Sequence, residues 1–338
     1  TPPWPVTVTA DPTPVIVADC GASAGPFEKE RLLNVAQGGY SAMRNLDYFT
    51  ESYDDLKQAG IRQIRFDCFM YDHFFWFSSK DASGKITYDF SRVDKLILPL
   101  LKLGMQPQMC LMGNPSYLCP EGLDKWCNAM PTDLKAWGDV AQALVAHYVQ
   151  LGHKGWYWEC ANEPDSFSDP RWTGEQYVEL YRVMASAVRA ADPTAKMGGA
   201  ACNQPFDWSP YNVALLKAKD QDPSLPLDFV SYHTYQSVNR GDDDFQHGYK
   251  RYEKRAPELL VTEWGDLCNM DGGVAAPMNS NVGASRTARR LSLLARLPKV
   301  RPYFFSAKDG WSATTILNGD VGLLTFNNHR KATYYVLK

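Results

Sequence analysis

A chain of 338 residues, 45% hydrophobic and 13% aromatic, is long enough for one barrel-sized domain with a large core. Its formal charge of −3 gives no electrostatic reason to bind nucleic acid or anionic lipid. There is no run of about 18 apolar residues, so no membrane span is expected, and the expected partner is a neutral or weakly charged molecule.

The opening TPPWPVTVTADPTP is polar and proline-rich and lacks a leading Met, which suggests a mature secreted (or periplasmic) form with its targeting segment removed; residues 1–14 read as an N-terminal extension. Short β-branched or aromatic runs then recur at Val15–Asp19, Gln63–Asp67, Met105–Met112, Gly155–Cys160, Lys196–Ala200, Leu227–Tyr232, Glu258–Glu263 and Arg301–Ser306. Between them lie helical patterns, from Tyr53 to Ala59, Val93 to Leu103, Leu134 to Gln150, Gln176 to Ala191 and Arg286 to Leu297. Ser91 and the Thr132-Asp133 pair are N-terminal signals, and Gly60, Gly104 and Gly152 are stops. Eight strand–helix units predict a single α/β domain over residues 1–338, a closed (β/α)8 TIM barrel, with 315–338 as a C-terminal tail packed on it.

None of the eight cysteines forms C-x-x-C, and with six histidines no zinc spacing occurs, so neither a metal nor an organic cofactor is expected. Cys119 and Cys127 bracket the polar loop PEGLDKW; a disulfide there would fit an oxidising compartment, with two free thiols as the alternative. Cys20, Cys68, Cys110, Cys160, Cys202 and Cys268 mostly sit at the ends of apolar runs, where a buried thiol acts as a small hydrophobe; pairing between neighbouring strand ends stays open.

In such a barrel the chemistry sits at the C-terminal strand ends. The residues closing these runs are Asp67, followed by Tyr71, Asp72 and His73; Asn114 after strand three; Asn162 and Glu163 after strand four; His233 and Tyr235 on strand six; Glu263 and Trp264 on strand seven; and Lys308, Asp309 and Trp311 after strand eight. Taken singly, a glutamate at a strand end is most often a cap or a surface charge. Two that face each other across one mouth suit glycosidic cleavage, where one acid protonates the leaving oxygen and a second carboxylate attacks or stabilises the anomeric carbon. Trp156, Trp158, Trp264 and Trp311 are candidate faces for stacking sugar rings.

Asn162-Glu163-Pro164 after an aromatic strand, with Thr262-Glu263-Trp264 on strand seven, resembles the clan of barrel glycosidases whose acid/base and nucleophile end strands four and seven. Within that clan YDDLKQAGIRQIRFD, DFSRVDKLILPLLKLGMQPQMCLMG, WYWECANEPD, LDFVSYHTY and GLLTFNNHRKATYYVLK resemble glycoside hydrolase family 39, the β-xylosidases and α-L-iduronidases. The resemblance runs from about Tyr48 to the C-terminus. It implies Glu163 as acid/base, Glu263 as nucleophile of a retaining double displacement, Asn162 on the sugar 2-hydroxyl, His233 and Tyr235 orienting the nucleophile or the sugar, and Trp264 and Trp311 as sugar walls. Asp67 stands where the family has a sugar-binding histidine, and Lys308 near the rim is a candidate for a substrate carboxylate or phosphate, or else a solvated lysine. The chain has little room for the β-sandwich of longer members.

The expected partner is a carbohydrate, with exo-action on a pentoside or uronide as the first reading and an endo-acting polysaccharide hydrolase as the second. A non-catalytic carbohydrate-binding barrel is the rival from another class, although a pure binder needs no such carboxylate pair. Gly21-Ala22-Ser23-Ala24-Gly25 matches a nucleophile elbow, yet too few residues precede Ser23 for the central sheet that motif requires. The sugar, its linkage and the oligomeric state are left open by the sequence.

Overall fold

A computed structural model describes residues 27–39, 42, 46–72, 77–121, 127–167, 171–203, 209–236, 243–266, 279–310 and 321–338. Eight parallel strands close a barrel: β1 (Asn34–Gln37), β2 (Gln63–Phe66), β5 (Gln106–Leu111), β6 (Tyr157–Cys160), β7 (Lys196–Cys202), β8 (Phe229–Gln236), β9 (Glu258–Asp266) and β10 (Val300–Phe305), with β1 hydrogen-bonded to both β2 and β10. A separate antiparallel hairpin, β3 (Ser78–Lys80) and β4 (Ile86–Tyr88), precedes the helix Ser91–Lys102.

The helices form where apolar residues recur at three- and four-residue spacing. In Leu134–Gln150 the buried stripe is Trp137, Val140, Ala141, Leu144, Val145 and Tyr148, and the Asp133 side chain caps the start by accepting from the Ala136 N–H. Gly174–Ala191 opens with a capping box between Thr173 and Gln176. Gly60, Gly104 and Gly152 stop their helices in the left-handed region at φ 85°, 72° and 89°, where a Cβ would be strained.

The expected first strand, Val15–Asp19, lies outside the described residues, and the barrel position it was assigned is filled by Asn34–Gln37. That strand is four residues of Asn-Val-Ala-Gln with polar ends, so no hydrophobic run marks it. Two of its side chains bond inside the fold: Asn34 Nδ2 donates to the Arg31 carbonyl at 2.8 Å, and Gln37 Oε1 accepts from the Lys308 N–H at 3.0 Å. Counted from β1, β6 is the fourth barrel strand and β9 the seventh.

Two apolar regions hold the barrel. The larger lies between strands and helices; the smaller, of Ala36, Phe229, Leu260 and Tyr303 with Tyr157 and Phe305 against it, fills the interior below the strand ends. Residues 321–338 pack on the outside, where Leu323 N–H reaches the Ser306 carbonyl at 2.9 Å and Tyr334 Oη reaches the Asp55 carbonyl at 2.9 Å. Among the described residues no helix is long and apolar enough to cross a membrane. Cys119 and Cys127 form a disulfide; Cys110, Cys160 and Cys202 are buried free thiols, Cys68 is buried too, and Cys20 and Cys268 lie outside the described residues.

Candidate active site

Side chains alternate across a strand, so every second residue of each barrel strand enters the interior. On β2 this face carries Gln63 and Arg65 and continues to Asp67; on β6 it carries Tyr157 and Glu159. A register shift between Tyr232 and His233 sets His233 opposite Glu263 on the neighbouring strand. Beyond β6 the chain turns at Ala161 (φ 64°) and Glu163 (φ 43°), left-handed positions that non-glycine residues hold only when the surroundings impose them. The Glu163 N–H donates to the Ala201 carbonyl at 3.0 Å, and Pro164 starts the turn Pro164–Phe167, so the acid leans back over the mouth.

There Glu163, Glu263 and His233 meet. His233 Nδ1 shares a hydrogen bond of 2.7 Å with Glu163 Oε1 and stands 3.6 Å from Glu263 Oε2. Tyr235 donates its hydroxyl to Glu263 Oε2. Beneath them the Arg65 guanidinium divides itself three ways: Nη1 donates to Glu263 Oε1 at 2.9 Å, Nη2 to Asn162 Oδ1 at 2.6 Å and Nε to Glu159 Oε2 at 2.7 Å.

These contacts give the two acids different surroundings. Burial, then the neighbouring Asp165 charge, pushes Glu163 up to about 8 against the pull of Arg65, so it keeps its proton at neutral pH. Burial also raises Glu263, but the Arg65 charge opposes the rise and Tyr235 donates to it. Burial holds the His233 imidazole below its usual range, so it is a neutral bridge. Tyr235 is pushed well above the usual phenol by burial and by Glu263, and remains a donor.

Glu163, His233 and Glu263 are the group among the described residues with ligand atoms close enough for a metal, all within 4.8 Å. The 2.7 Å between His233 and Glu163 is hydrogen-bond spacing; two ligands of a tetrahedral zinc stand about 3.3 Å apart. The trio fits a proton better than an ion.

Of the other predicted residues, Asp67 is at this mouth, with Oδ1 accepting the Gly39 N–H at 2.6 Å and its charge bearing on both Glu163 and Glu263. Asn114 spends its amide beside the disulfide, donating to the Ala129 carbonyl at 2.8 Å and to Cys127 Sγ at 3.3 Å. Lys308 is no rim lysine: it is 1% exposed, its Nζ donates to the Tyr48 carbonyl at 2.5 Å over the Tyr48 ring, and burial pulls the amine down to about 8. Trp264 is no sugar wall either. It follows the inward Glu263, so it faces outward, 1% exposed and edge-on to Phe304 at 5.2 Å. Trp156 and Trp158 are likewise buried, Trp156 tilted on Tyr148 at 4.8 Å. Trp311 and His73 lie outside the described residues.

Three interior residues escaped the sequence reading: Arg65, Glu159 and Gln108. A signal was present, because Gln63, Arg65 and Asp67 share the parity of one inward face, as do Glu159 and Tyr157, and a charge in the middle of a buried strand requires a partner.

A closed barrel with a glutamate at the end of its fourth and of its seventh strand has the architecture of a barrel glycosidase. The family model of glycosyl hydrolases family 39 matches residues 31–253, well over half of the chain, and the chain belongs to that family. The matched span includes Glu163, His233 and Tyr235; Glu263 lies ten residues beyond it. The chain is 26% identical over 235 residues to a β-xylosidase of Geobacillus stearothermophilus, covering 63% of this chain and 45% of that protein. It is 27% identical over 190 residues to an α-L-iduronidase of Mus musculus, covering 52% and 28%. It thus spans less than half the length of these curated relatives. Its fold is similar to that of a monomeric β-xylosidase from Caulobacter crescentus CB15, with TM-score 0.76, 22% identity and coverage of 93% of this chain and 68% of that one. The family 39 enzyme of Xanthomonas axonopodis pv. citri gives TM-score 0.77 at 23% identity, with coverage of 93% and 66%.

Proposed function

We propose that the chain is a retaining, exo-acting glycoside hydrolase for a neutral pentoside of the β-xyloside type. The observation that carries this reading is the contact of Glu163 and Glu263 through His233, with the three ligand atoms within 4.8 Å. That spacing favours direct attack by a carboxylate, because an inverting pair stands about 6.5–9.5 Å apart to admit a water. Protonated Glu163 gives its proton to the leaving oxygen as Glu263 attacks the anomeric carbon; the glycosidic bond breaks and a glycosyl ester forms. The ester removes the Glu263 charge. Since the two acids are electrostatically coupled, Glu163 is then left as the base that takes a proton from the water that cleaves the ester.

The choice of a neutral sugar over a uronide follows from the charges. Arg65 is consumed by three acceptors and Lys308 is buried, so among the described residues a substrate carboxylate at this mouth meets Asp67 and Asp165 without a free cation. The Cys119–Cys127 pair supports an oxidising compartment.

The test is a panel of aryl glycosides, with xyloside, arabinoside, galactoside and glucuronide, assayed on the wild type and on Glu263→Ala. The xyloside is the expected substrate, and the variant is expected to be inactive until azide restores product of inverted configuration. Near-normal turnover by the variant refutes the nucleophile; activity on a polysaccharide alone replaces exo- with endo-action.

A further inference from the structure

Arg65 is 1% exposed and Glu159 is fully buried, so neither has water as a partner. The three kinds of nitrogen on the guanidinium each have one acceptor, and these come from different places: Glu263 at the seventh strand, Asn162 beyond the fourth, and Glu159 within the fourth. A guanidinium is planar, so its orientation is set once the Nε–H is fixed. Glu159 provides that fixed point, accepting at 2.7 Å, and is itself held by Gln108 Nε2 from β5 at 3.3 Å. Glu159 lies four residues before Glu163 on the same segment, so one stretch of chain carries both the acid and the anchor beneath the opposite carboxylate.

We propose that Glu159 is a positioning residue for the reaction: it locks the Arg65 guanidinium so that one buried cation holds both Glu263 and the sugar-reading Asn162. With the anchor in place, Nη1 and Nη2 cannot turn away from either. Glu159 also shares the positive charge of Arg65, so Glu263 is not its sole counter-ion and keeps the basicity of a nucleophile. Removing the carboxylate leaves the whole Arg65 charge to Glu263; shortening it draws Arg65 away from both Glu263 and Asn162.

The inference rests on the glycoside hydrolase reading, and the experiment separates the two. Glu159→Gln and Glu159→Asp are made in the full chain, and kcat and KM on an aryl xyloside are measured against pH. The carboxyl of Glu263 is titrated in parallel by ¹³C NMR of unliganded protein, its signal identified by its loss in Glu263→Gln. In Glu159→Gln the acid limb of kcat/KM and the titration both move to lower pH by about half a unit or more, and kcat falls at least tenfold with little change in KM. Glu159→Asp keeps the buried charge, protects the fold if Glu159→Gln does not accumulate, and also loses at least tenfold in kcat. A role in folding alone lowers the yield of active protein but leaves both limbs and the titration where they were; that result, or full kcat in Glu159→Asp, overturns the proposal. A wild type inactive on every glycoside defeats the hydrolase reading, while the Glu263 titration still decides whether Glu159 governs it.

Discussion

Tyr235→Phe removes one hydroxyl and should move the pH profile in the opposite direction to Glu159→Gln. Glu263 has two oxygens: Oε1 takes Arg65 Nη1 at 2.9 Å, and Oε2 takes the Tyr235 hydroxyl. His233 stands 3.6 Å from that second oxygen, beyond hydrogen-bond reach, while its Nδ1 serves Glu163 at 2.7 Å. A hydrogen bond to a charged group contributes about 1.5–3 kcal/mol. At about 1.4 kcal/mol per pH unit, its loss from the ionised form alone raises the Glu263 pKa by about one to two units. His233 can close part of the gap, so the expected movement is about one unit. The sign is fixed: the lost donor favoured the carboxylate, so the protonated form gains and the acid limb of kcat/KM moves up. The plateau falls about tenfold, the rate equivalent of about 1.4 kcal/mol. The assay is initial rate on an aryl xyloside across pH 4–9, with folding checked by near-UV circular dichroism. An acid limb that stays put, or moves down, refutes the assignment of Tyr235 as the donor that keeps Glu263 ionised.

Glu163 ties the site to stability. Its carboxyl, lifted by burial to about 8, is neutral in the folded chain where the unfolded chain ionises it near 4.5, so the folded state holds the extra proton and stability falls as pH rises through that window. Glu163→Gln, which mimics the protonated acid, should therefore gain in denaturation midpoint relative to wild type as pH goes from 5 to 9; parallel midpoints would contradict the raised pKa. Trp264→Ala should lose about 3–5 kcal/mol in urea unfolding through the cavity left beside Phe304, with KM little changed; a large rise in KM without loss of stability would return Trp264 to the sugar site. Reduction of Cys119–Cys127, eight residues apart, should lower stability by about 2–3 kcal/mol on chain entropy, read as a lower Tm in reductant; an unchanged Tm would show that the loop is held without it.

The barrel was legible because most of its strands are hydrophobic runs between amphipathic helices, and buried parallel strands have that pattern. Asn34–Gln37 was not, since a four-residue strand with Asn and Gln at its ends carries no such signal; Gln37 finds its partner, the Lys308 N–H, only once the chain beyond β10 lies beside it. The catalytic pair was legible for a different reason. An acid at the end of a barrel strand has its position determined by the architecture, so Glu163 and Glu263 needed only the strand count to be placed together.

The tryptophans show where composition misleads. An indole that stacks on sugar and one that packs on Phe304 are the same residue, and what distinguishes them is the side of the strand they occupy; Trp264, next to an inward Glu263, had to face out. Lys308 failed for a related reason, because the residues that bury it, Tyr48 and Gln37, come from segments some 260 and 271 positions earlier.

The sequence by itself determined the strand–helix repeat, the two glutamates and their strand ends, because each depends on local pattern and chain order. Only the tertiary structure decided how these acids differ. Their protonation depends on what surrounds each one: burial and Asp165 for Glu163, and burial, Arg65 and Tyr235 for Glu263. Those neighbours come from β2, from β8 and from the short helix after β6, and electrostatic coupling depends on distance through the interior, which no order of residues along a chain specifies.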